Sequence, residues 1–273
     1  MSQNVKTAVS ERYGEIARRG LSSDDEKTRA IARAFGYSDG ELASIPAEAN
    51  MGVSCGNPTA AASLTEGEIV VDLGSGGGLD VFLAAQRVGP TGQAIGIDMT
   101  EEMIALARKN AKKMALDNVA FHRAEIEAMP LDDESADCVI SNCVLVLIPD
   151  KLAAFQEIFR VLKPGGRLAV SDLALKQALP AELAARVGMS GDVIEALTMS
   201  GYESTLAAAG FTAVEIIDSG SDLNVHRRPE ATDLDSAPAS GTCGGGVSII
   251  SALRLLDVDV NDYAASVKIF AVK

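Results

Sequence analysis

Residues 69–80 read IVVDLGSGGGLD, a β-branched run that ends in an acid, then four glycines within five positions, then apolar residues at helical spacing. Such a stretch has few solutions other than a strand, a tight turn and the start of a helix, because only glycine takes left-handed backbone without a Cβ penalty. The same alternation continues downstream. LDVFLAAQRVG predicts a helix, QAIGID a strand, and TEEMIALARKNAKKMAL a helix capped by Thr100 with Glu101 and Glu102 in its first turn. NVAFHRA, ADCVISN and GRLAVSDL predict three further strands, and KLAAFQEIFRVLK a helix stopped by Pro164-Gly165-Gly166. Repeated strand–helix units imply an α/β fold with a mostly parallel sheet covered by helices on both faces.

Helical spacing over TAVSERYGEIARRG and SSDDEKTRAIARAFG predicts a helical N-terminal cap, and residues 36–66 read as mostly loop, with Asn57-Pro58 as a helix start. Helices are expected around 181–198 and 202–209, followed by strands FTAVEIID and YAASVKIFAVK around a polar insertion at 219–246. The resulting division is 1–65 as cap and substrate loop, 66–218 as the core, and 219–273 as an insertion plus a final strand that completes the sheet.

Where strands of a parallel sheet end, glycines let the backbone approach a ligand closely. A dinucleotide fingerprint needs G-x-G-x-x-G, and the sixth position from Gly74 is Leu79, which disfavours a pyrophosphate. Twenty residues after Gly78 the second strand ends in Asp98, an acid suited to accept hydrogen bonds from both hydroxyls of an unphosphorylated ribose. With 38 acidic against 24 basic side chains the net charge is -14, which argues against nucleic acid and anionic membrane surfaces as partners. No run approaches the roughly 20 apolar residues of a membrane span, so a cytoplasmic protein is expected.

Strand, D-x-G-x-G-x-G, helix, then strand and Asp resembles the class I S-adenosylmethionine-dependent methyltransferases over about 66–218. The resemblance implies that a Rossmann-like core binds S-adenosylmethionine. It assigns Asp72, Gly74, Gly76 and Gly78 to the methionine part, Asp98 to the ribose, Met99 to one adenine face, and Glu125, Ile126 or Glu127 to the adenine edge. As ordinary loop or core residues, the last four would need no ligand to explain them.

Four cysteines, Cys55, Cys138, Cys143 and Cys243, lack any C-x-x-C pairing, so neither a zinc knuckle nor a dithiol redox motif is present, and resting thiols are expected. Only two histidines occur, His122 and His226, neither at a strand end, so an acceptor nucleophilic without a base is favoured. CGNP at 55–58, GIDMT at 96–100, IEAMPL at 126–131 and SNCVLVL at 141–147 resemble the arsenite S-adenosylmethionine methyltransferases. That resemblance implies that Cys55 and Cys143 are thiolate ligands of trivalent arsenic, which agrees with the preference of a soft centre for soft ligands. A cap loop folded over the sheet edge would have to bring them together.

The chain departs from the family where a further cysteine is expected after the fifth strand and Met189 stands instead; the family's far N-terminal cysteine is also missing. Cys243 is then either the third ligand or a plain surface thiol, with glutathione as an exogenous substitute, and Cys138 reads as core packing. Glutathione or thioredoxin is implied as reductant. Two other readings remain open: methylation of another small organic acceptor, with the cysteines as packing residues, and metalloid binding without turnover.

Overall fold

The computed structural model describes residues 2–183, 193–194, 196–224, 247–248 and 258–273. Strands β1 (Ile69–Leu73), β2 (Gln93–Asp98), β3 (Val119–Arg123), β4 (Ala136–Asn142) and β5 (Leu162–Leu175) pair in parallel. β7 (Thr212–Asp218) and β9 (Ala264–Val272) complete a seven-stranded sheet in the order β3-β2-β1-β4-β5-β9-β7, with β9 antiparallel to both neighbours. The chain winds outward from β1 through β2 to β3, then returns to β4 on the other side of β1. That reversal leaves a crevice above the carboxyl ends of β1 and β4, where ligands of open parallel sheets bind.

Helices cover both faces because the strands are apolar on both, as a parallel sheet requires. On one face α7 (Lys151–Val161) and α8 (Met199–Ala209) bury Phe155, Ile158, Tyr202 and Leu206 against Leu73, Val139, Val170 and Val267. On the other, α5 (Leu79–Val88) and α6 (Glu101–Met114) bury Val81, Phe82 and Ile104 against Val70, Ile140 and Ala169. Cys138 lies in this second core, fully buried, and burial pushes its thiol up to about 12. It is an apolar packing residue there.

The N-terminal segment is helical as expected, with α1 (Ser2–Arg19) and α2 (Glu26–Ala34). Between 36 and 66 the chain is more ordered than a loop: α3 (Asp39–Ala43) carries a complete Ser38–Glu41 capping box and α4 (Pro58–Ala61) is capped by Asn57 with proline at its first position. Arg167 ties the return into β1 to the sheet, its guanidinium paired in two-pronged fashion with Glu68 and bonded to the carbonyls of Ala62 and Ser63.

Two expectations need correction. The strand expected to start at Gly166 starts at Leu162, which already pairs with Ala136, and the Pro-Gly-Gly segment that should have separated helix from strand is taken up as extra residues on β5 at a register shift opposite Ala136 and Cys138. A helix does not run through 181–198: Val193–Ile194 form a short strand, β6, paired with β8 (Val247–Ser248), and Thr198 caps α8. That pairing is set by a partner far away in sequence and leaves no local periodicity.

Asp172, on β5, is fully buried beneath the turn after β4, where its carboxyl receives the backbone N–H groups of Val146 (3.1 Å) and Leu173 (2.7 Å). Burial pushes it up to about 7 against those hydrogen bonds and the charge of Lys151. The folded chain therefore keeps a proton that the unfolded chain releases. The stability this confers is complete below about pH 4 and lost as pH rises through the folded value. Urea unfolding at about pH 5 and about pH 8 should show wild type losing more stability than Asp172→Asn over that interval; parallel losses would refute the assignment.

Candidate functional site

β1 delivers the chain into the crevice at Leu73, and the turn that follows is held by three left-handed glycines. Gly74 has φ 66°, and a β-carbon there would collide with the Val144 side chain, so this glycine lets the turn and the segment after β4 touch. Gly78 (φ 96°) begins α5 and packs so closely on the Phe82 ring that an added β-carbon would sit 2.6 Å from it. The Gly76 N–H donates to Asp98 Oδ2 (3.0 Å) and the Thr100 N–H to Asp98 Oδ1 (2.8 Å), which locks the end of β2 to the turn.

A cavity of about 110 Å³ adjoins this turn. Of the residues singled out in the sequence, Gly74, Gly76, Asp98, Met99, Glu125, Ile126, Glu127 and Cys143 line it. Asp72, Gly78 and Cys55 do not line it. Sequence reasoning missed a whole wall: α1 contributes Lys6, Val9 and Tyr13, and the loop after α3 contributes Met51 and Val53. Lys6 pairs with Glu125 (2.6 Å) and Glu127 (2.9 Å), bridging 119 and 121 residues. Burial alone would lower Lys6, but the hydrogen bonds and charges of those two glutamates outweigh it and hold the ammonium above its ordinary value. No local signal marks a lysine in an amphipathic helix for this role.

The site is electrostatically one-sided. Asp72 is raised well above the carboxylate range by burial, then by the neighbouring charges of Asp80 and Asp98. Asp98 is raised by burial, with the Thr100 and Gly76 hydrogen bonds opposing. Asp80 is raised to about 6 by burial, with hydrogen bonds from Tyr37 and Asn142 opposing. Three buried acids beneath one cavity favour a cationic guest. The bare turn at Gly74, the ribose-type acid Asp98 and this field together fit a nucleoside ligand bearing an ammonium and a sulfonium.

Cys143 follows β4 directly, in left-handed conformation (φ 60°), with its N–H on the Ser171 carbonyl (2.8 Å). Cys55 comes from the loop before α4, and the structure joins the two as a disulfide, their Cα atoms 5.6 Å apart across 88 residues of sequence. The expected meeting of cap loop and sheet edge is present, though oxidised rather than as two resting thiols. Around the pair lies an apolar cluster that includes Val146, Leu173, Leu175, Leu223 and Val260. Cys243, Met189 and His226 lie outside the described residues. His122, on β3, does not line the cavity. Among the described residues no group of three or more His, Cys, Asp or Glu side chains forms a metal cluster, and no helix is long and apolar enough to cross a membrane.

Fold and site together define a Rossmann-like class I methyltransferase. Residues 64–210 match the family model described as a methyltransferase domain, and the chain belongs to that family. It is 42% identical over 230 residues to the arsenite methyltransferase of Halobacterium salinarum, covering 78% of this chain and 59% of that protein. To the arsenite methyltransferase of Aquipseudomonas alcaligenes it is 37% identical over 166 residues, covering 58% of this chain and 48% of that one. The chain thus spans roughly half to three fifths of the length of these relatives. Among solved structures, an arsenic(III) S-adenosylmethionine methyltransferase from Chlamydomonas reinhardtii superposes with a TM-score of 0.55 at 26% identity, over 89% of this chain and 72% of that one.

The collision between Gly74 and Val144 yields a direct test. Gly74→Ala must displace either the turn or the segment carrying Cys143, at about 1–3 kcal/mol of overpacking, and chemical denaturation should register that loss. Combining it with Val144→Ala should recover the collision part of the loss but not the left-handed backbone part; no recovery would show that the contact is not a source.

Proposed function

We propose that the protein transfers methyl groups from S-adenosylmethionine to thiol-bound trivalent arsenic, as arsenite or methylarsenite, giving methylated arsenicals and S-adenosylhomocysteine. The observation that carries the reading is the meeting of Cys55 and Cys143 at the carboxyl end of β4, where Cys143 lines a cavity built from the glycine turn and Asp98. The names of the relatives agree with it.

When bound, S-adenosylmethionine supplies an electrophilic methyl on a sulfonium. Gly74 and Gly76 would admit its methionine part, with Asp72 and Gly78 supporting the turn from below; Asp98 would take the ribose, Met99 an adenine face, and Glu125, Ile126 and Glu127 the adenine edge. Lys6 neutralises the two glutamates while α1 covers the ligand. The reduced Cys55 and Cys143 would bind arsenic and release their protons, holding the arsenic lone pair towards the methyl. Arsenic has a lone pair to donate, so no side chain has to act as base. The third ligand is Cys243 or an exogenous thiol such as glutathione.

The disulfide must be reduced before arsenic enters, a two-electron step assigned to glutathione or thioredoxin, which also returns arsenic to the trivalent state after transfer. A cytoplasmic location suits both the reductant and the cofactor. The three-part division at 65 and 218 is retained as the working boundary between cap, cofactor core and C-terminal segment. A second reading, methylation of a small organic acceptor, draws support from Met189 in the place of the family's cysteine.

Reduced protein incubated with arsenite, S-adenosylmethionine and thiol should give methylated arsenic on chromatographic speciation. Cys143→Ser should abolish it and Cys138→Ala should leave it. Cofactor binding without any methylated arsenic would defeat the reading in favour of the organic acceptor. Replacing Cys243 with serine decides whether it is the third ligand, since unchanged rates would remove it from the site.

A separate measurement concerns the buried acids. A cationic cofactor stabilises ionised Asp72, so binding should expel a proton and tighten as pH rises from the ordinary carboxylate range through the raised value, then level off. Calorimetry in buffers of different ionisation enthalpy should show that proton release, and Asp72→Asn should remove it.

A further inference from the structure

We propose that Asn142 is a positioning residue for the thiol pair: its side chain pins the Cys55 loop to the end of β4, setting the gap that one trivalent arsenic must bridge. The inference rests on the arsenic reading above. The Asn142 Oδ1 accepts the Cys55 backbone N–H (3.0 Å), and Nδ2 donates to the Gly56 carbonyl (2.8 Å) and the Tyr37 hydroxyl (2.8 Å), with Asp80 Oδ2 at 3.2 Å. The orientation of the amide is fixed by chemistry. One end faces a donor and the other faces acceptors, so a flipped amide would oppose N–H to N–H. Asn142 also lines the cavity, but both its amide protons are committed to protein acceptors.

Two covalent neighbours make this more than general packing. Asn142 precedes Cys143 in the chain, and the N–H that its Oδ1 accepts belongs to Cys55 itself, so a single side chain spans the two thiols' backbones. The Cys55 carbonyl is held separately by the Ser266 hydroxyl (2.8 Å), and Ser266 lies on β9 within the same sheet. The loop therefore has two side-chain anchors, and of these Asn142 is the one that ties it to the strand leading into the other thiol. Aspartate cannot substitute: it keeps the acceptor for Cys55 but turns a negative oxygen towards the Gly56 carbonyl and the Asp80 carboxylate, which are themselves acceptors.

The probe is phenylarsine oxide, a trivalent arsenical that takes two thiols at once. Reduced full-length wild type should bind it through both sulfurs. Asn142→Leu and Asn142→Asp should bind about tenfold more weakly or worse, the worth of one or two lost hydrogen bonds to a partly buried loop. S-adenosylhomocysteine affinity should fall by a much smaller factor than phenylarsine oxide affinity, and the KM for arsenite should rise more than kcat falls. Tyr37→Phe, which removes one partner of the amide without touching the strand end, should weaken phenylarsine oxide by a smaller factor. Loss of S-adenosylhomocysteine binding with intact phenylarsine oxide binding would overturn the proposal in favour of a cofactor contact. Equal loss of both would make Asn142 a merely structural residue. Wild type that clamps phenylarsine oxide yet never methylates arsenite would sink the functional reading while leaving the clamp standing.

Discussion

A buried carboxylate, Asp80, sets the terms for the rest of the molecule. It sits in the first turn of α5, 5% exposed, directly under the site, and an ionisable group in such a place is tolerable only with hydrogen-bond partners. Its partners come from elsewhere: the Tyr37 hydroxyl reaches both oxygens (2.8 and 2.9 Å) and Asn142 approaches one of them. Tyr37 is itself 2% exposed and belongs to the cap, so satisfying the acid requires the cap to dock. Removing Tyr37 would leave the buried acid with only the Asn142 bond among these, at a cost of the order of 1–3 kcal/mol. The Cys55 loop follows Tyr37 in the chain and inherits the position that this docking imposes.

The same logic of unpaired charge explains α1. A chain with net charge -14 that collects Asp72, Asp80 and Asp98 under one cavity and adds Glu125 and Glu127 on its wall needs a counter-charge there. Lys6 supplies it to the two glutamates from across the cavity, leaving the deeper acids for a cationic guest. One helix thereby covers the pocket with Val9 and Tyr13 and corrects its electrostatics, which divides the labour between a permanent cation on the wall and a transient one at the floor.

What was legible in the sequence was whatever is short-range. The glycine turn, Asp98 at the end of the next strand, the cap Asn57, and the alternating strand–helix order all rest on neighbours within a few tens of residues. Backbone sterics and period leave marks at that distance. Lys6 with Glu125, Tyr37 with Asp80, and Asn142 with Cys55 are separated by 119, 43 and 87 residues, and nothing local distinguishes these side chains from solvated or core ones. The supposed helix over 181–198 failed for the same reason, since Val193–Ile194 take their conformation from Val247–Ser248. Cys55 and Cys143 were suspected partners only through resemblance; the contact itself is a product of cap docking.

The surroundings of the thiols bear on the kind of acceptor the site can hold. On one side Cys143 borders a cavity whose acids are engaged, Asp98 by two backbone N–H groups and the glutamates by Lys6, and among the described residues no histidine lines it. On the other it borders aliphatic side chains, Val146, Leu173, Leu175 and Val260. An oxygen or nitrogen acceptor that must shed a proton during attack would find few free bases here, and its polar groups would face an apolar wall. A soft centre held by two sulfurs brings its own lone pair, needs no hydrogen bond from that wall, and gains from the exclusion of water that would compete for its ligand positions. The apolar cluster and the absence of an available base thus argue in the same direction as the paired thiols, and they do so without reference to the cysteines at all.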